Sequence, residues 1–166
     1  MVVLKGTVHK VGDDVNTDVI YPGKFLPIAD LDEMGKHFME GYGQGFPERV
    51  QDGDIIVAGK YFGCGSSREQ AAIAAKTRGV SAIVAKSFAR IYYRNAINQG
   101  LLIVVCQDTD DIKDGVDIEI DTDAGTIKTS DGKTIKCDSL PPFLMEIIED
   151  GGLIEHLKKK MKMAQE

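Results

Sequence analysis

Apolar side chains recur along this chain in two different periods, and the switches between them mark its elements. Val2 to Val8 is apolar and β-branched and predicts a first strand, and the polar run Gly12 to Asp18 predicts a loop. Val19-Ile20-Tyr21 lead into Pro22-Gly23-Lys24-Phe25-Leu26-Pro27, a stiff loop with one cation flanked by apolar side chains, of a kind that carries specificity. Leu31, Met34, Phe38 and Met39 then follow at helical spacing and predict a short amphipathic helix ending at Gly41.

From Asp54 the chain alternates strictly: strand Ile55 to Ala58, helix Glu69 to Thr77, strand Ser81 to Ala85, helix Phe88 to Asn98, strand Leu101 to Val105. Continuous apolar runs such as Leu101 to Val105 suit strands covered on both faces, so this βαβαβ pattern predicts a parallel sheet core. Ser87 is placed to cap the second helix, whose buried stripe is expected to be Phe88, Ile91, Tyr92 and Ala96, with Arg90 and Arg94 on another face. Beyond Gln107, Val116, Ile118 and Ile120 alternate, Thr126 to Lys128 follows, and Asp131-Gly132 reads as a two-residue turn before Thr134 to Lys136, all signals of antiparallel hairpins. Pro141-Pro142 opens a helix over Phe143 to Ile148, Gly151-Gly152 breaks it, and Leu153 to Met161 forms a last helix with Lys158, Lys159 and Lys160 at its end.

Bulk properties narrow the class. The 166 residues suit one compact domain over 1–166. Lys+Arg 20 against Asp+Glu 26 leaves a net charge of −6, which disfavours nucleic acid and anionic membrane as partners. Neither a leader nor an apolar run near the length of a membrane span is evident, so a cytoplasmic protein is expected. Cys64, Cys106 and Cys137 lack any C-x-x-C pair, and His9, His37 and His156 are scattered, so no metal is assigned to this chain. Cys106 ends an apolar run and reads as buried, whereas Cys64 either packs inward or faces a ligand. Each histidine reads as a surface or half-buried side chain, and Asp13, Asp14 and Asp18 as turn-formers in a solvated loop.

Gly63-Cys64-Gly65-Ser66-Ser67-Arg68-Glu69 is the segment richest in chemistry. It is expected to put two hydroxyls and a guanidinium at the first turn of a helix, where unpaired N–H groups carry about half a positive charge and bind anions. Its glycines supply freedom to turn and let a ligand approach the main chain. A second reading treats Ser66 and Glu69 as a capping box, which accounts for both without any ligand. That reading leaves Ser67 and Arg68 unexplained, since a cation in a first turn opposes the helix dipole unless an external anion meets it.

These residues resemble a known family, the small subunit of 3-isopropylmalate dehydratase (isopropylmalate isomerase), which corresponds to the swivelling C-terminal domain of aconitase. The resemblance spans nearly the whole chain and is carried by Gly12 to Asp18, by Phe62 to Glu69, by Ala85 to Asn95 and by Gly100-Leu101-Leu102, in matching order and spacing. It implies an α/β fold: a three-layer swivelling β/β/α domain with a mostly parallel βαβαβ core and an antiparallel hairpin region. It also implies that Ser66 removes the proton next to a substrate carboxylate, and that Ser67 and Arg68 bind substrate carboxylate. A 4Fe-4S cluster is expected on a large partner subunit, in a heterodimer or heterotetramer, with no cofactor on this chain and a small di- or tricarboxylic acid as substrate.

In the family, substrate choice is assigned to the loop aligned with Lys24-Phe25-Leu26-Pro27-Ile28. Relatives commonly carry arginine where Lys24 stands, and homoaconitase-like members add another arginine around Pro27. Here Leu26, Pro27 and Ile28, beside Phe25 in the same loop, suggest an apolar wall suited to an isopropyl or methyl group, worth about 0.8 kcal/mol per buried methylene, with Lys24 as the substrate-binding cation. Isopropylmalate ranks first as substrate, citramalate or dimethylmalate second, homoaconitate third. A non-catalytic anion-binding module and an RNA-binding protein are the competing classes, the latter disfavoured by the acidic balance.

Overall fold

The structure is a computed structural model that describes residues 3–43 and 45–165. Seven strands form one sheet in the order β4-β3-β2-β1-β5-β6-β7. In chain order they are β1 Val3–Lys10, β2 Ile55–Val57, β3 Ala82–Ala85, β4 Leu102–Val105, β5 Asp117–Asp121, β6 Thr126–Thr129 and β7 Thr134–Lys136. Helices α1 Thr17–Ile20, α2 Leu31–Lys36, α3 Phe46–Arg49, α4 Glu69–Arg78, α5 Arg90–Asn98, α6 Pro142–Glu149 and α7 Leu153–Gln165 complete the fold. The expected first strand is present, starting at Val3 and running two residues past Val8, while Val2 lies outside the described residues.

β1 is the hinge of the architecture, pairing parallel with β2 on one side and antiparallel with β5 on the other. Strands β1 to β4 are mutually parallel, and β5 to β7 form the antiparallel ribbon. Alternation along the short strands separates two cores. Ile56, Ile83 and Ile103 face the helices, whereas Ile55, Val57, Ala82, Val84, Leu102 and Val104 face Ile118, Ile120, Ile127 and Ile135 of the ribbon. The ribbon thus folds across one face of the parallel sheet while α2, α4 and α5 cover the other. The doubly apolar runs read in the sequence require cover on both faces of the parallel sheet, supplied here by helices on one side and the ribbon on the other. The turn around Asp131-Gly132 is longer than the two residues expected: four residues separate β6 from β7, tied by the Thr129 N–H to the Lys133 carbonyl at 2.9 Å.

The helix expected to reach Gly41 stops at Lys36. Phe38 and Met39 are fully buried in the turn that follows, and Met39 adopts φ +61°, so that its N–H reaches the Ile20 carbonyl at 2.7 Å. Burying Phe38 and Met39 is worth roughly 1.5–3 kcal/mol each, more than the roughly 1–2 kcal/mol that one left-handed residue costs. Packing therefore overrides the helical period there. In α5, Tyr92 and Ala96 face inward as expected, but Ile91 is 49% exposed and Ile97 takes its place in the core. Among the described residues no helix is long and apolar enough to cross a membrane.

Candidate active site

Three loops leave the carboxyl ends of β1, β2 and β3 and lie against one another. The Gly63 N–H donates to the Val15 carbonyl at 2.8 Å, the Thr17 N–H to the Cys64 carbonyl at 2.8 Å, and the Ala89 N–H to the Phe62 carbonyl at 2.9 Å. This is the edge of a parallel sheet where ligands collect, because chain turns and helix starts converge there. Gly63 makes the approach possible: it sits at φ +85°, and a Cβ there would lie 2.3 Å from Tyr92 of α5.

Ser66, Ser67 and Arg68 form the end of the second loop rather than the first turn of a helix. Arg68 is the cap of α4, in extended conformation with no side-chain cap bond, and helical geometry begins at Glu69. The capping box does not form either, since Glu69 Oε1 accepts from Gln99 Nε2 at 2.8 Å. The Ser66 hydroxyl is consequently not consumed as a cap, and Ser66 is exposed. Buried Thr17 donates its hydroxyl to the Ser66 carbonyl at 2.8 Å and lies 3.4 Å from Ser66 Oγ, fixing the elbow from below.

Arg68 departs from expectation in a second way, because it has an internal anion. Its Nη1 donates to Asp18 Oδ1 at 2.8 Å and to the Tyr21 carbonyl at 3.1 Å. Asp18 Oδ1 also accepts from the Gly23 N–H at 3.0 Å. The guanidinium, followed by that backbone N–H, holds the Asp18 carboxyl below the usual carboxylate range. Asp18 is thus not an idle turn-former but the residue that aims Arg68. Its identity as an acid was visible in the sequence, but its pairing across fifty positions was not.

A cavity of about 300 Å³ opens beside these residues, lined by Ser66, Arg68, Tyr61, Arg90, Ile91 and Asn95 among others. That volume suits a small organic acid. Ser66 and Arg68 are brought together in it, while Ser67 is exposed just outside the lining. Lys24 stands on the short turn Gly23–Phe25, exposed, with Nζ 5.0 Å from the Phe25 ring, and does not reach this cavity. Phe25 stacks on His37 at 3.8 Å and packs with Ile28 on the helix-side core, leaving Leu26 and Pro27 as the exposed part of the expected apolar wall. Sequence reasoning missed Tyr61, whose φ of +58° and 52% exposure set it on the cavity rim. Ser87, expected to cap α5, instead accepts the Tyr61 N–H at 2.8 Å, and Ala89 is the cap.

The cysteines divide between the two cores. Cys64 packs against the helix side of the sheet, and burial, then Asp14, pushes its thiol up. Cys106 is buried on the ribbon side, with Cys137 packed against the same core and pushed by burial to about 11. Thiols on opposite faces of one sheet cannot ligate a common 4Fe-4S cluster, and among the described residues no set of three or more His, Cys, Asp or Glu is arranged to hold a metal ion. His156 is buried, against expectation, with Nδ1 2.7 Å from Asp150.

A hydroxyl and a guanidinium lie together at the carboxyl edge of a β/β/α sheet, and the Aconitase C-terminal domain family matches residues 30–109. The chain is 52% identical to the 3-isopropylmalate dehydratase small subunit of Halothermothrix orenii, over 97% of this chain and 99% of the relative. It is also 52% identical to the methanogen homoaconitase small subunit of Methanocaldococcus jannaschii, over 95% of this chain and 93% of the relative. A crystal structure of 3-isopropylmalate dehydratase from Methanocaldococcus jannaschii superposes with a TM-score of 0.95 at 50% identity, covering 99% of this chain and 98% of the other. The chain belongs to this family of aconitase-type hydro-lyase small subunits.

Proposed function

We propose that the chain is the small subunit of a two-subunit enzyme that interconverts 2-isopropylmalate and 3-isopropylmalate by dehydration and rehydration, a step of leucine biosynthesis. The observation that carries the reading is the exposed Ser66 hydroxyl opening on a cavity that also holds Arg68. Dehydration removes a proton from the carbon next to a carboxylate and hydroxide from its neighbour. Ser66, as its alkoxide, takes the proton and becomes the hydroxyl, and rehydration with the opposite regiochemistry delivers that proton to the neighbouring carbon that lost hydroxide. Negative charge grows on the carboxylate side as the C–H bond breaks, and Arg68, already aimed by Asp18, stabilises it together with Ser67.

Loss of the hydroxyl needs a Lewis acid, which a 4Fe-4S cluster on the large partner subunit would supply. This chain's part is to bind and orient the acid, to hold the base, and to close a dry site against that partner. Leu26 and Pro27 are exposed and uncharged but, like Lys24, lie outside the lining of the Ser66 cavity, so their preference for a branched aliphatic acid over one with a third carboxylate would act in the assembled enzyme. Equal identity to an isopropylmalate and to a homoaconitate relative leaves this loop as the discriminating feature.

Reconstitution with the cluster-loaded large subunit tests the reading. The chain alone should be inactive, and the complex should turn over isopropylmalate faster than citramalate, dimethylmalate or homoaconitate. A complex that prefers homoaconitate overturns the substrate assignment, and organic-acid binding by the isolated chain without any active complex points to a non-catalytic module.

A further inference from the structure

We propose that Arg90 is a second substrate-binding cation of the Ser66 cavity, taking the carboxylate that Ser67 and Arg68 leave free. The inference deepens the proposed function and rests on its small dicarboxylic acid. Arg90 lines the same cavity as Ser66 and Arg68 and is exposed. Arg68 gives hydrogen bonds to Asp18 and to the Tyr21 carbonyl, so part of its donor set and much of its charge are already matched within the chain. Among the described residues nothing pairs with the Arg90 guanidinium.

Its position is also unfavourable without an anion. Arg90 is the first residue of α5, the first turn holds no acidic side chain, and Ala89 offers no side-chain cap, so a cation there faces the positive end of the helix dipole. The position is nevertheless rigid. α5 is seated on the elbow by Tyr92 against Gly63, by the bridge between Phe62 and Phe88 and by the Ala89 N–H on the Phe62 carbonyl. An uncompensated guanidinium planted beside the base, in a cavity sized for a small acid, matches what a dicarboxylate needs: two cations on either side of the carbon that loses its proton. Arg94, one turn further along the same helix, lies at a separate cavity with Leu144 and Ile147, and so serves as an internal control of equal charge.

The test uses the assembled two-subunit enzyme with R90Q, R90K and R94Q. For R90Q, KM for isopropylmalate should rise about 10–100-fold with kcat changed far less, the loss expected of a ground-state carboxylate contact. Inhibition by malate should weaken in parallel, while inhibition by a malate monoamide should be nearly the same in wild type and R90Q. R90K should recover part of the affinity, and R94Q should leave KM unchanged. The proposal is overturned if R90Q keeps a KM within about twofold of wild type, or if its rise in KM disappears when the large subunit is saturating, which would make Arg90 a contact for that subunit. An inactive wild-type complex sinks the functional reading and this inference together. An active wild type with an unaltered R90Q sinks this inference alone.

Discussion

Arg68 and Asp18 are joined by a 2.8 Å hydrogen bond across fifty residues of sequence, with the Gly23 N–H completing the carboxylate and the Tyr21 carbonyl taking the same guanidinium nitrogen. The arginine is 19% exposed and the aspartate 69%, so the acid is the solvent-side strap on a cation that points into the site. The pair is an orienting device more than a source of stability, because an exposed carboxylate gains little net energy from such a contact.

Removing that strap should loosen Arg68 without unfolding the chain. Asp18→Asn in the assembled enzyme is expected to raise KM about tenfold, in line with a lost charge-assisted contact, and to leave the melting temperature nearly unchanged. The pH dependence has a definite sign. Asp18 has a folded-state pKa below its ordinary 3.8, so its contribution is present above that value and is lost as pH falls through the lowered one. The wild-type profile should therefore show no acid limb from Asp18 near neutrality, and D18N should lower kcat/KM across the range without shifting the profile. A shifted limb in D18N would contradict the assignment.

Ser66→Ala tests the proposed base. Ser66 is exposed, and among the described residues the only hydrogen-bond partner of its hydroxyl is Thr17, so stability should change by less than about 0.5 kcal/mol. Turnover with the large subunit present should fall on the order of a thousandfold or more if the hydroxyl carries the proton. Steady-state rates beside thermal denaturation decide it, and near-normal activity would remove Ser66 from the mechanism.

Gly63→Ala probes how the elbow is seated. The position combines φ +85° with a Cβ that would lie 2.3 Å from Tyr92, a residue that is itself fully buried. Left-handed strain and overpacking together should cost about 2–5 kcal/mol, or on the order of 5–15 °C in Tm. Activity should fall with stability because α5 and the elbow must part. Calorimetry showing an unchanged Tm would mean the two segments are more loosely apposed than this geometry requires.

The thiols should be unreactive in the folded chain. Burial raises all three, Cys137 to about 11, so thiolate is scarce at neutral pH. Alkylation at pH 7.5 is expected to be slow for the native protein and complete within minutes once it is denatured. Rapid labelling of native Cys64 would instead indicate a thiol facing the site.

Much of this protein was legible in the order of its residues. The doubly apolar runs Ile55 to Val57, Ala82 to Ala85 and Leu102 to Val105 can be satisfied only between two layers, which is why the parallel core is readable from their pattern alone. The glycine, serine and arginine pattern at 63–68 marked the elbow because no ordinary helix start needs that set. Tertiary structure decided the rest. Local rules offered a capping box at Ser66 as a second reading and predicted a cap at Ser87 and a helix through Phe38, and each lost to contacts with residues far along the chain: Gln99 for Glu69, Tyr61 for Ser87, Ile20 for Met39. The pairing of Arg68 with Asp18 and the convergence of Arg90 on Ser66 likewise depend on three separate loops meeting at one sheet edge. Periodicity is written in neighbours three, four or two positions apart, whereas hydrogen-bond partners across a fold are chosen by which surfaces the buried core presses together.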